Sequence, residues 1–105
     1  MVVAWEDKEI RSICLDTDIA HAKLGAAIAV SLQTRLSELI AADNINDLPL
    51  GDPAEIDDSC YKIDLIDGYR LIFCNNHPKP PLRDGKINWV EVTRIKILKI
   101  VNTNA

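Results

Sequence analysis

The chain is predicted to be an α+β protein of two layers, with an N-terminal helical hairpin packed on a small antiparallel sheet. Three observations predict it. Leu24, Ile28, Leu32, Leu36, Leu39 and Ile40 recur three or four positions apart, the spacing of a buried helical stripe. Residues 61–73 alternate apolar and polar around Asp67-Gly68, as a hairpin does. Residues 90–101 alternate again in their middle. Helices first and strands afterward segregate the layers, whereas a strand–helix alternation would interleave them.

The elements follow in order. Residues 2–5 read as a short strand. Asp7 then caps a short helix whose apolar positions Ile10, Ile13 and Cys14 keep helical spacing. The cluster Asp16-Thr17-Asp18 supplies a second cap and sets negative charge at the positive end of the next helix dipole. One long helix is expected over 18–43, about 40 Å at 1.5 Å per residue, with Ala26, Ala27 and Ala29 flanking its stripe and Asn44 as a left-handed stop. Pro49, Gly51 and Pro53 punctuate the link to the sheet, where Leu48 and Leu50 tuck under the loop.

The hairpin's register is legible from its side chains. A three-residue turn at Ile66-Asp67-Gly68, with Gly68 at positive φ, sets Tyr61 opposite Phe73, Ile63 opposite Leu71 and Leu65 opposite Tyr69, and pairs Asp64 with Arg70 on the other face. A two-residue turn would set Asp64 against Leu71 and Lys62 against Phe73, mixing charge into apolar rows. The first register is expected, and it directs Arg70 away from the core. Residues 75–88 are proline-stiffened and show no period of their own, a long excursion between paired strands. In the last strand, Ile95 and Ile97 share one face and Arg94 and Lys96 the other. Leu98 and Ile100 fall on the parity of Lys96, so either the strand is buried on both faces there or a bulge resets it.

With 105 residues, 48% apolar and 27% charged, the chain suits one globular domain over 1–105. No apolar run approaches the roughly 18 residues of a membrane span. Acidic residues at Glu6 and Asp7 leave no apolar leader after Met1, so a cytoplasmic location is expected. Cys14, Cys60 and Cys74 are odd in number and form no Cys-x-x-Cys pair, which predicts reduced structural thiols. His21 and His77 lie in no metal-ligand spacing, so no metal and no cofactor are expected. The net charge of −4 conceals an asymmetry: residues 1–60 carry 4 basic and 12 acidic side chains, −8, and residues 61–105 carry 8 and 4, +4. A basic C-terminal half can face a polyanion.

Taken together, the short strand, helical hairpin, Leu48-Pro49-Leu50-Gly51 loop, Gly68-Tyr69-Arg70-Leu71 strand and Gly85-Lys86-Ile87-Asn88-Trp89 segment before the closing strand resemble the HigB-type killer proteins. These belong to the RelE/ParE superfamily of bacterial toxin–antitoxin systems, and the resemblance runs over nearly the whole chain. It implies a plasmid-maintenance toxin that enters the ribosome and cleaves messenger RNA without a metal, held inactive by a cognate antitoxin protein. The implied chemistry is attack of a ribose 2′-hydroxyl on the adjacent phosphate, with basic residues stabilising the charge that develops. Arg70 matches the family's strand arginine, and its guanidinium suits phosphate on physical grounds too. Related chains often end in tyrosine and histidine. Thr103 and Asn104 stand there instead, and a carboxamide can hydrogen-bond but not exchange a proton.

The candidate catalytic residues are therefore Arg70 and Asn104, and the candidate RNA-binding residues are Lys62, Arg94, Lys96 and His77. His77 is the histidine expected to approach that face as a substitute proton carrier. A simple Asp64–Arg70 cross-strand pair, and lysines that only block edge pairing, are the structural alternatives. Trp5 and Trp89 are expected as core or loop anchors. The polar side of the long helix, with Lys23, Arg35 and Glu38, is a candidate antitoxin surface. A non-cleaving relative, binding only its antitoxin or directed at another target such as DNA gyrase, is the alternative function.

Overall fold

Asp7 and Asp16 open the helical layer where their positions predict. In the computed structural model, which describes residues 1–57 and 59–104, Asp7 accepts from the Ile10 amide at 2.9 Å and starts α1 (Lys8–Leu15). Asp16 closes α1 and caps α2 (Thr17–Leu24), accepting from the amides of Asp18 and Ile19 at 2.9 and 3.2 Å. The single helix expected over 18–43 is instead broken at Gly25, whose φ of 84° and ψ of 162° end α2 and begin α3 (Ala26–Ala41). Only glycine takes that conformation without strain. Asn44 is not a left-handed stop either. Its backbone is extended, and its side chain accepts from the Asn46 amide to cap a 3-10 turn at Ile45–Asp47.

The strands are β1 (Val2–Trp5), β2 (Ala54–Glu55), β3 (Cys60–Asp64), β4 (Tyr69–Asn75), β5 (Leu82–Arg83), β6 (Lys86–Ile87) and β7 (Arg94–Asn102). Five form a sheet in the order β1-β7-β4-β3-β2. The class is α+β, but the sheet is mixed and not purely antiparallel, because β1 runs parallel to β7. Local patterning cannot reveal this, since both orientations share the same two-residue period. The hairpin takes the three-residue register: Tyr61 faces Phe73, Ile63 faces Leu71, Asp64 faces Arg70, and the Leu65 amide donates to the Tyr69 carbonyl at 2.8 Å. Asp67 and Gly68 both have positive φ, 56° and 79°.

Two corrections concern the C-terminal half. The segment 75–88 contains the β5–β6 hairpin, turned at Asp84-Gly85 with φ of 54° and 80°, the positive pair of a type I′ turn. The last strand begins at Arg94, and Trp89–Glu91 is a 3-10 turn that drives Trp89 into the core. The two readings left open for β7 resolve to a bulge. Phe73 pairs with Ile97 but Ile72 pairs with Lys99, so Leu98 is the extra residue and Ile100 rejoins Ile95 and Ile97 on the helix side.

Between the layers, Ile10, Cys14, Leu32, Leu36 and Leu39 pack against Ile63, Leu71, Phe73, Ile95 and Ile97. Trp89 meets Tyr61 and Phe73 edge-on, with ring centroids 4.5 and 6.2 Å apart, while Trp5 packs half-buried at the core margin. No helix among the described residues is long and apolar enough to cross a membrane.

The cysteine expectation is also corrected. Cys60 and Cys74 lie directly opposite in β3 and β4 and form a disulfide, while Cys14 is free and buried. The expected hairpin register already sets Cys60 opposite Cys74, one row beyond Tyr61 and Phe73, but register alone does not say whether two facing thiols are oxidised. Under denaturing, non-reducing conditions one thiol should react with a chromogenic disulfide reagent, and three after reduction; three without reduction would refute the pairing. Burial pushes the Cys14 thiol up from 9.0 to about 12. The folded chain thus holds a proton that the unfolded chain releases near pH 9. This contribution to stability is complete below that pH and is lost as pH rises toward 12.

Candidate functional site

The sheet face turned away from the helices is built in rows fixed by strand register. Nearest the hairpin end, Asp64, Arg70 and Val101 stand side by side on β3, β4 and β7. The next row is Lys62, Ile72 and Lys99, and the third is Cys60, Cys74, Lys96 and Ala4. Alternation along each strand thus gathers Lys62, Arg70, Lys96 and Lys99 on one surface. Arg94 begins the same face at its far end, opposite Val2.

These cations differ in what already holds them. Arg70 donates through Nε to Asp64 Oδ1 at 3.1 Å, with no other partner for its guanidinium among the described residues and a side chain 42% exposed. The expected Asp64–Arg70 pair therefore forms and still leaves the terminal nitrogens of Arg70 free to grip an anion. Lys62 is 8% exposed at the side chain, with Nζ 3.2 Å from Asp52 in the loop before β2 and 3.0 Å from Asp64 in β3, so two carboxylates already engage it. Asp64 thus joins Lys62 to Arg70 and orients the guanidinium. Lys96 pairs with Glu6 at 3.2 Å. Among the described residues, Arg94 and Lys99 have no ion-pair partner.

The other candidates lie elsewhere. Asn104 sits over the hairpin turn, where its Nδ2 donates to the Asp67 carbonyl at 2.7 Å and its side chain occupies the space a Cβ on Gly68 would need. Thr103 clamps the same turn, donating from backbone and hydroxyl to the Gly68 carbonyl at 2.9 and 2.6 Å. His77 is held at the opposite end of the sheet. Its Nε2 accepts from the Thr93 amide at 3.0 Å, a bond only the unprotonated nitrogen can accept. It follows Asn75, five residues along β4 from Arg70, or about 17 Å at 3.3 to 3.4 Å per residue. Register brings Arg70 together with Lys62 but separates it from His77 and Arg94.

Arg35 and Glu38, expected on an outward antitoxin surface, pair with each other and are only 16% and 19% exposed, while exposed Lys23 pairs with Glu9. The residue that sequence reasoning missed is Lys99. Strict alternation assigns it to the core-facing parity of Ile97, and the signal that could have moved it was the parity break of Leu98 and Ile100.

Chemically, the hairpin end of this face offers positive charge over the apolar floor of Ile72 and Val101. Asp52 and Asp64 are the carboxylates beside Lys62, and both oxygens of Asp64 are engaged by cations. The arrangement can hold and stabilise a phosphate. No group of three or more His, Cys, Asp and Glu among the described residues could hold a metal ion. Comparison with protein-family models, with curated proteins and with solved structures gave no match.

Proposed function

We propose that the chain is the toxin component of a type II toxin–antitoxin system, of the HigB type in the RelE/ParE superfamily, acting in the cytoplasm on ribosome-bound messenger RNA. The observation that carries this reading is the basic outer face of the sheet, where Arg70 keeps its terminal guanidinium nitrogens free while Asp64 fixes its direction. A guanidinium so placed can grip two phosphate oxygens and stabilise the charge that grows on them when a 2′-oxygen attacks phosphorus and the 5′-oxygen leaves. The cognate antitoxin would silence the chain by covering this face.

A second reading, a non-cleaving member that binds its antitoxin only or acts on another target such as DNA gyrase, is favoured by a separate observation. Asn104 at the hairpin turn is a carboxamide with no proton to exchange, and His77 lies at the far end of the sheet, so neither supplies a proton carrier at Arg70. Induced expression in a bacterium, with growth and transcript integrity followed for the wild type and Arg70→Ala, separates the two. Arrest with cut transcripts, both lost in the variant, is the expected result. Arrest with intact transcripts would point to another target, growth without arrest to a member that only binds its antitoxin, and either would overturn the nuclease reading.

A further inference from the structure

We propose that Lys99 and Arg70 together hold one phosphate of single-stranded RNA, an inference that rests on the RNA-binding reading above. The bulge at Leu98 creates this site. Without it, Lys99 would point with Ile97 into the core; with it, Lys99 pairs with Ile72 on the outer face, while Arg70 pairs with Val101. The two cations are then diagonal neighbours on adjacent antiparallel strands. That geometry sets their Cα atoms about 7–8 Å apart, within reach of a common ligand for two long side chains.

Their surroundings favour an anion at this spot over others on the face. Lys62, the third cation near it, is buried and paired with Asp52 and Asp64; with Arg70 these four charges sum to zero, which leaves Lys99 as the uncompensated cation beside them. Lys96 is paired with Glu6 in the next row. Lys99 is exposed with no ion-pair partner among the described residues, and Arg70 has spent only its Nε donor. Ile72, 6% exposed, and half-buried Val101 floor the space between them and give a ribose an apolar surface to rest on. Lysine supplies a point charge and arginine a directional fork, so the pair fixes both the position and the orientation of a phosphodiester.

The test is binding of a fluorescent single-stranded RNA oligonucleotide at several salt concentrations, using the full chain. Lys99→Gln should bind more weakly for every sequence, with the slope of log affinity against log salt reduced by about 1, and Lys99→Arg should restore most of it. The double variant with Arg70→Gln should be non-additive, because the two side chains share one phosphate. Lys86→Gln removes the same charge from the β5–β6 hairpin and should leave the slope nearly unchanged. An undiminished slope in Lys99→Gln, an equal loss in Lys86→Gln, or strict additivity with Arg70→Gln would overturn the shared phosphate and leave the RNA reading standing. A wild-type chain that binds no RNA even at low salt would overturn both.

Discussion

Replacing Phe73 with alanine should remove about 3–5 kcal/mol of stability, the range for truncating a fully buried aromatic ring. Phe73 is 0% exposed at the centre of β4 and touches both layers: its ring stacks near Tyr61, with centroids 6.1 Å apart, and meets Trp89 edge-on at 6.2 Å. The cavity cannot close easily, because β4 is the middle strand, with β3 on one side and β7 on the other. A domain of this size shifts its midpoint by about 4–8 °C per kcal/mol, so thermal unfolding should fall by at least about 12 °C. Near-ultraviolet circular dichroism should report loosened Trp89 packing in the same variant. A shift under about 4 °C would mean that the ring is not the keystone between the layers.

Gly51→Ala should cost about 2–4 kcal/mol, although the position lies in a loop and the change adds a single methyl group. The φ of Gly51 is +90°, and a Cβ there would lie 2.4 Å from Cγ2 of Ile63, a side chain 1% exposed, and 3.3 Å from the Asp64 carbonyl oxygen. The Gly51 carbonyl also accepts from the Asp64 amide at 2.6 Å. Relief of the clash would therefore disturb β3 at the residue that orients Arg70. Gly68 offers the contrast. Its φ is +79°, but the atoms a Cβ would meet belong to the exposed Asn104 side chain, which can swing aside, so Gly68→Ala should be milder. Urea titration should show the Gly51→Ala midpoint well below that of Gly68→Ala with the same denaturant dependence. The reverse order would refute this account.

Particular residues show which parts of the molecule could be read in advance. The caps at Asp7 and Asp16 were legible because capping is settled within three residues of chain. The Asp64–Arg70 pairing was legible because one register alone keeps charge out of the apolar rows of the hairpin. Gly25 does not announce the helix break, because a lone glycine within a helical stripe costs only about 1 kcal/mol and local pattern alone does not decide whether a helix continues through it. The β5–β6 hairpin was carried by Asp84-Gly85 but hidden by the prolines before it.

For the site, the sequence determined that Arg70 faces away from the core and that the C-terminal half is basic. Which cations stand with it depends on how distant segments pack. The bulge at Leu98 carried Lys99 onto that face, two carboxylates engaged the buried Lys62, and the length of β4 set His77 beyond Asn75, at the far end of the strand from Arg70. The parallel entry of β1 beside β7 belongs to the same class. The physical reason is common to all of them. Side-chain period and turn chemistry act over a few residues and are written locally, whereas the partner of a strand, and hence the neighbour of a charge, depends on contacts between segments far apart in the chain.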